Sequence, residues 1–219
     1  MTALLIRTLL ISAIFAFPIY HYADGEKQQG FDVLFDGTNL DKWTGNKTDY
    51  VIEDGNIVLH PENKGGGNLY TAKEYGDFEF QFEFKLIPGA NNGVGIRTKL
   101  TGDAAYDGME IQILDNDDPQ YKDLHEYQFH GSVYGVIPAK RGFLKPTGEW
   151  NSQTIIAKGN HIQVILNGEK ILDGDIKKAS EHGTMDKQKH PGLFNKKGHI
   201  GFLYHETTIS FRNVKVKEM

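Results

Sequence analysis

The sequence predicts an all-β protein, a sandwich of two antiparallel sheets, and three observations lead there. Nearly every ordered-looking segment alternates apolar and polar residues with period two. The segments are short, and Gly/Asn/Asp turn signals separate them. Helical periodicity is scarce, with only the stretch 177–187 suggesting a short helical turn. Many short strands with regular turns are the pattern of a sandwich or barrel.

Taken in chain order, YVIE and IVLH flank AspGlyAsn at 54–56 and read as a hairpin. The clearest strand is DFEFQFEFKLI at 77–87. Phe78, Phe80, Phe82, Phe84 and Leu86 alternate there with Glu79, Gln81, Glu83 and Lys85. No helix makes that stripe, and its apolar side supplies much of a core between two sheets. GVGIRTK, GMEIQIL and SVYGVI follow as further strands. QTIIAK and HIQVILN are joined by LysGlyAsn at 158–160, and AsnGlyGlu at 167–169 leads into EKILDG. HIGFLYH and ISFRNVKVK close the chain.

Composition bounds the rest. The chain has 219 residues, no Cys and a net charge of −5. Residues 1–23 carry Arg7 and then an apolar run from Leu9 to Phe17, too short to span a bilayer comfortably and similar to a signal peptide. The expected organisation is a signal peptide at 1–23, a linker at 24–30 and one domain at 31–219, secreted or periplasmic. A retained membrane anchor is the alternative. With no Cys, neither disulfides nor a lipid-modified Cys holds the product. No basic stripe with interleaved aromatics favours nucleic acid, and no membrane association is expected once the leader is removed.

A candidate site emerges from the polar side of two strands. In YDGMEIQILD (106–115) Met109, Ile111 and Ile113 share one face, and Glu110, Gln112 and Leu114 share the other. In NNGVGIRTK, Val94 and Ile96 alternate with Gly93, Gly95 and Arg97. If the two strands pair, one face presents Arg97, Glu110 and Gln112 beside glycines that leave room for a ligand, with Asn91 and Asn92 at the rim. The plainer reading is an exposed sheet face carrying an Arg–Glu cross-strand pair. Glycine weakens a strand interior, so two of them on that face ask for a reason.

Other polar clusters carry less. HEYQFH (125–130) has its His residues five apart, which excludes the i, i+4 zinc spacing on a helix; it reads as a loop walling a pocket, or merely a polar loop. DNDDP (115–119) reads as an Asp-rich turn before Pro rather than a calcium loop. His205, at the end of a strand, is a structural residue or a base.

The segments FDVLFDGTNLDKW, EYGDFEF, NNGVGIR, YDGMEIQILD, GEWN and FRNVKVKE together resemble the 3-keto-disaccharide hydrolase family over nearly all of the chain after Gly30. The resemblance implies a concanavalin A-like lectin/glucanase jelly roll with a concave sheet. It also implies action on glycosides oxidised at C3, a carbohydrate substrate. By that resemblance Arg97, Glu110, Gln112 and Asp115 match pocket positions, and His205 matches a pocket His, although GFLYHE departs from the family's usual stretch. The chemistry implied is removal of the C2 proton next to the ketone, loss of the C1 substituent and addition of water. Glu110 or His205 is the base, Arg97 and Gln112 hold the C3 oxygen, Asn92 and Asp115 contact substrate, and Tyr134 is a candidate acid. No metal ligands are assigned and the cofactor requirement stays open; a divalent cation at the C3 oxygen is an alternative. The competing readings are a non-catalytic carbohydrate-binding module, a surface-interaction domain, and an ordinary jelly-roll glucanase. For the last, Gln112 stands where a carboxylate is needed.

Overall fold

Five apolar side chains in a row need a second sheet to cover them, and the computed structural model supplies one. It describes residues 30–219. The expected signal peptide at 1–23 and most of the linker lie outside the described residues. Thirteen strands run as β1 (Asp32–Phe35), β2 (Trp43–Gly45), β3 (Tyr50–Glu53), β4 (Asn56–Leu59), β5 (Leu69–Thr71), β6 (Phe78–Leu86) and β7 (Asn91–Thr98). They continue as β8 (Met109–Leu114), β9 (Trp150–Lys158), β10 (His161–Leu166), β11 (Glu169–Asp175), β12 (His199–Leu203) and β13 (Ile209–Glu218). One sheet has eight strands in the order β11-β10-β9-β6-β13-β4-β3, with β1 added to β13. The other has five, β2-β5-β12-β7-β8. All pairings are antiparallel.

The turn signals act as their chemistry requires. Asp54-Gly55 and Asn167-Gly168 are two-residue hairpin turns with positive φ at both positions, which Asp, Asn and Gly tolerate best. The stripe of β6 is buried at every second residue, as the sequence predicts. Its Phe80 and Phe82 meet Phe202 of β12, which stacks on Phe211 of β13 at a centroid distance of 3.7 Å. Each such ring contributes about 1.5–3 kcal/mol by burial. Trp43 stacks on the same Phe202, and the Tyr50 hydroxyl donates to the Phe202 carbonyl, so a single aromatic group pins the two sheets together.

The alternation reading departs from the structure in two places. SVYGVI is not a regular strand: it lies along the edge of β8 through hydrogen bonds at Gln112 and Glu110, then reverses at Gly135, where φ is 74°. The short strands β1, β2 and β5 fall in segments where the alternation is too brief to register. The short helical turn expected at 177–187 is present at the start of that stretch as α2 (Ile176–Ala179), capped by Asp175. A second α-helical turn is α1 (Ala104–Asp107), capped by Asp103. Among the described residues no helix is long and apolar enough to cross a membrane.

Candidate active site

The outward face of the five-stranded sheet forms the floor of a cavity of roughly 680 Å³. Strand register sets the floor. Gly93 pairs with Gln112 and Gly95 with Glu110, while on the other side of β7 these glycines face Leu203 and Gly201 of β12. Side chains of one parity on β8 therefore project over bare backbone of β7. The glycine at 93 is required there: a Cβ on it would lie 2.0 Å from Glu110 Oε1. The carboxylate of Glu110 occupies the space a side chain at 93 would fill.

Glu110 is 6 % exposed, and its Oε1 has no hydrogen-bond partner among the described residues. A buried carboxylate oxygen left bare is costly and calls for an explanation. The His205 Nε2 lies 3.9 Å from that oxygen. This is longer than a hydrogen bond, so the imidazole stands beside the carboxylate without satisfying it. Gln112 donates from Nε2 to Asn91 Oδ1 at 2.8 Å, which fixes the amide with its second N–H free for a ligand. Tyr134 follows the β8 edge, and its hydroxyl accepts a bond from Gln128 at 3.2 Å. Burial pushes the Tyr134 phenol above its ordinary pKa, with the Glu110 charge adding to the effect, so it stays a protonated donor at neutral pH.

Sequence reasoning thus placed Glu110, Gln112, Tyr134 and His205 around one cavity, and the structure brings these four together. Three further candidates lie elsewhere. Arg97 does not join the floor. It adopts φ 51° at a bulge in the β7–β12 pairing, and this turns its side chain away from the face that Gly93 and Gly95 share. Its buried guanidinium instead binds the Gly76 carbonyl at 2.9 Å, the Gly159 carbonyl at 2.6 Å and Asp77 Oδ1 at 2.9 Å, stapling β7 to the start of β6 and the β9–β10 turn. Asn92 has the parity of Val94 and Ile96. Its amide faces inward, beside Tyr50, and donates to the Leu203 carbonyl. Asp115 has the parity of Ile111 and Ile113, and its Oδ2 accepts from the Gly89 N–H at 2.9 Å.

The residues that sequence reasoning missed are on connecting segments. Tyr106, Asp103 and Ala104 come from the α1 segment, Tyr121, Leu124 and Gln128 from the loop after β8, and Asn68 and Tyr204 from strand ends. Of HEYQFH only Gln128 lines the cavity. His130 turns into the core, stacks on Phe84 and pairs with Gln153 Oε1 at 2.8 Å. The signal for the tyrosines was faint, since nothing in a loop's own pattern says which way it folds over a sheet. The long connection from α2 to β12 braces this wall. The Asp186 N–H donates to Gly135 and the Gly192 N–H to Tyr106, and Asn195 Nδ2 reaches the carbonyls of both Arg97 and Asp107.

A two-sheet jelly roll with a polar, tyrosine-walled pocket over a lone buried carboxylate defines a glycoside-active enzyme of the glycoside hydrolase kind. Residues 30–217 match the 3-keto-alpha-glucoside-1,2-lyase-like domain, and the chain belongs to that family. It is 28 % identical to a 3-keto-disaccharide hydrolase of Bacteroides thetaiotaomicron, covering 86 % of this chain and 78 % of the relative. A crystal structure of a candidate glycosyl hydrolase from Parabacteroides distasonis is 30 % identical with a TM-score of 0.74, over 86 % of this chain and 99 % of that one. At the level of fold alone, a non-specific endo-beta-1,3(4)-glucanase aligns with a TM-score of 0.50 at 11 % identity, over 86 % and 93 %.

Proposed function

We propose that the protein cleaves glycosides carrying a ketone at C3, with Glu110 as the base that takes the C2 proton. The observation that carries this is the Glu110 carboxylate at the cavity floor, its buried Oε1 without a partner among the described residues and held in the gap left by Gly93. A ketone makes the neighbouring C–H acidic, so a single carboxylate suffices. The proton passes to Glu110, the electrons move into the enolate, and the C1–O bond then breaks with the pair leaving on the departing oxygen. Tyr134, kept protonated by burial, supplies a proton to that oxygen, and Gln112 donates to the C3 oxygen where charge gathers. Water adding across the resulting enone completes a net hydrolysis. The sequence expectation that Arg97 shares the oxygen-binding role is withdrawn, because its donors are spent on Gly76, Gly159 and Asp77. His205 fits as the group that orients the hydroxyl or water next to Glu110.

Two features support elimination over two-carboxylate hydrolysis. The carboxylates lining the cavity are Glu110 and Asp103, and Asp103 Oδ1 caps α1 by accepting from the Ala105 N–H. The position that would supply a second catalytic carboxylate on β8 is Gln112. Elimination followed by hydration also accommodates both a lyase-like family description and a relative named as a hydrolase.

The test is turnover of a 3-keto-glycoside against its unoxidised parent. Glu110→Gln reduces kcat by at least about a hundredfold with ligand still bound. His205→Ala costs less, and C2 hydrogen exchanges with deuterated solvent. Efficient hydrolysis of an unoxidised β-glucan, or full activity in Glu110→Gln, would overturn the reading. Export belongs to the same proposal: native protein whose N-terminus begins near residue 24 supports it, and one beginning at Met1 or Thr2 contradicts it.

A further inference from the structure

The long connection between α2 and β12, residues 180–198, keeps Lys187, Gln188 and Lys189 exposed but turns two titratable side chains inward. Ordered connections of this length without secondary structure are uncommon and usually functional. The side chains of Asp186 and His190 are only 6 % and 2 % exposed. The imidazole Nε2 lies 3.0 Å from Asp186 Oδ2 and 3.2 Å from Oδ1. Between the two residues Lys187 takes a left-handed φ of 59°, which residues with a Cβ rarely adopt. Burial alone would raise the Asp186 pKa, but donors from Gln188, Thr184 and His190 outweigh it and hold the carboxylate ionised. An ionised carboxylate only accepts, so Nε2 carries the shared proton.

The pair touches both segments that carry pocket tyrosines. Its carboxylate lies against Gly135, the residue after Tyr134: a Cβ there would be 2.4 Å from Asp186 Oδ2 and 3.0 Å from His190 Cε1. The Asp186 N–H donates to the carbonyl of the same glycine at 3.2 Å. The imidazole packs on the Tyr106 ring at a centroid distance of 4.8 Å. Further along, the Gly192 N–H donates to the Tyr106 carbonyl at 2.8 Å, and a Cβ on Gly192 would lie 2.0 Å from the Asp107 main chain. Residues 186–192 thus clamp the backbone beside each tyrosine. A buried charged pair is weak evidence for stability, because apolar side chains of similar volume often serve as well, so this one asks for another role. Its charge reaches both phenols. Burial raises the Tyr106 pKa, and Tyr134 and then Asp186 add to the rise; at Tyr134 burial again leads, with Glu110, Tyr127 and Asp186 adding. Both phenols therefore remain proton donors at neutral pH.

We propose that Asp186 and His190 are positioning residues for the proton-donating step: they hold Tyr106 and the Tyr134–Gly135 turn so that the Tyr134 O–H faces the departing C1 oxygen. The proposal rests on the reading of the Glu110 pocket given above. In that reading the C1–O electron pair leaves with the oxygen and takes the phenol proton, and the phenolate then regains a proton from water. The expected signature is dependence on the leaving group, since a good one departs without a proton and a poor one does not.

The test compares kcat for methyl 3-keto-glucoside, with a poor leaving group, and for 4-nitrophenyl 3-keto-glucoside, with a good one. The variants are Asp186→Asn and His190→Phe, each checked by thermal unfolding. Both reduce the ratio of the methyl to the 4-nitrophenyl kcat at least about tenfold, while KM for either substrate stays within about twofold and C2 exchange with deuterated solvent is retained. Tyr134→Phe lowers the same ratio, and Asp186→Asn added to it lowers the ratio by less than about twofold more, as groups acting through one another should. An unchanged ratio in a folded variant, an equal loss on both substrates, loss of C2 exchange, or a full additional loss in the double variant overturns the positioning role and leaves the Glu110 reading standing. So does failure of both single variants to fold, which would make the pair a folding element. A wild type that cleaves neither substrate overturns both.

Discussion

Gly93→Ala separates the geometry of the site from the stability of the fold. Residue 93 lies inside β7 with an ordinary extended backbone, so alanine meets no conformational barrier and gains about 0.5–1 kcal/mol over glycine in the strand. Its Cβ, however, would sit 2.0 Å from Glu110 Oε1, 2.8 Å from Cδ and 2.9 Å from Cγ. Ordinary contact starts at 3.4 Å, so the carboxylate oxygen retreats by about 1.4 Å. The cavity beside it gives the side chain somewhere to go, and the net change in stability stays within about 1 kcal/mol. For a domain of this size that is a shift in Tm of roughly 4 °C at most. Activity responds very differently. A displacement of about 1 Å in a catalytic group costs on the order of a hundredfold, or roughly 2.7 kcal/mol of transition-state stabilisation. The assay is kcat/KM on a 3-keto-glycoside alongside thermal unfolding of the same preparation. Activity within about threefold of wild type in a folded protein would refute the role given to the Glu110 position. A loss of stability above about 3 kcal/mol would refute the claim that the carboxylate can yield into the cavity.

Two further outcomes follow from groups outside the pocket. Arg97→Ala strands two backbone carbonyls and Asp77, which is itself partly solvated, and destabilises the fold by about 3 kcal/mol; urea unfolding shows this while the activity of the remaining folded protein at 25 °C survives. His130 is buried, and burial, only partly offset by Gln153, pushes its pKa down to about 4. Above pH 6.5 the ring is neutral folded or unfolded. As pH falls from about 6.5 to 4 only the unfolded chain takes up the proton, so stability drops by up to roughly 1.4 kcal/mol per pH unit and then levels off. Thermal unfolding across that range shows a steeper acid slope in wild type than in His130→Gln.

What was legible in the sequence depended on how far each residue sat from a regular strand. The Phe stripe of β6 and the faces of β8 follow from period two, and the hairpin turns from Asp-Gly and Asn-Gly. The same rule, applied consistently, places Asn92 and Asp115 on the inward parity of their strands, so their assignment to the pocket broke the pattern that found Glu110 and Gln112. Arg97 is a different matter. Its parity was read correctly for a regular strand, but a left-handed residue at a bulge shifts every face beyond it, and nothing about Arg advertises φ 51°. Tyr106 and Tyr204 are set by loops folding over the sheet, a tertiary event with no local period. His130 read as part of a pocket wall or of a polar loop because its partners, Phe84 and Gln153, are distant in sequence.

The position of β12 has a consequence for how the binding face comes into being. In the five-stranded sheet this strand, residues 199–203, sits between β5 and β7. Until it is in place, the sheet consists of two separate ladders, β2–β5 and β7–β8, with unpaired edges toward each other and no continuous floor. During synthesis both ladders leave the ribosome long before the strand that joins them, and β13, central in the other sheet, comes later still. The Glu110 carboxylate and the β2–β5 ladder are thus translated early and brought into register last. A chain released before residue 203 carries both halves of the cavity floor without the strand that sets their spacing.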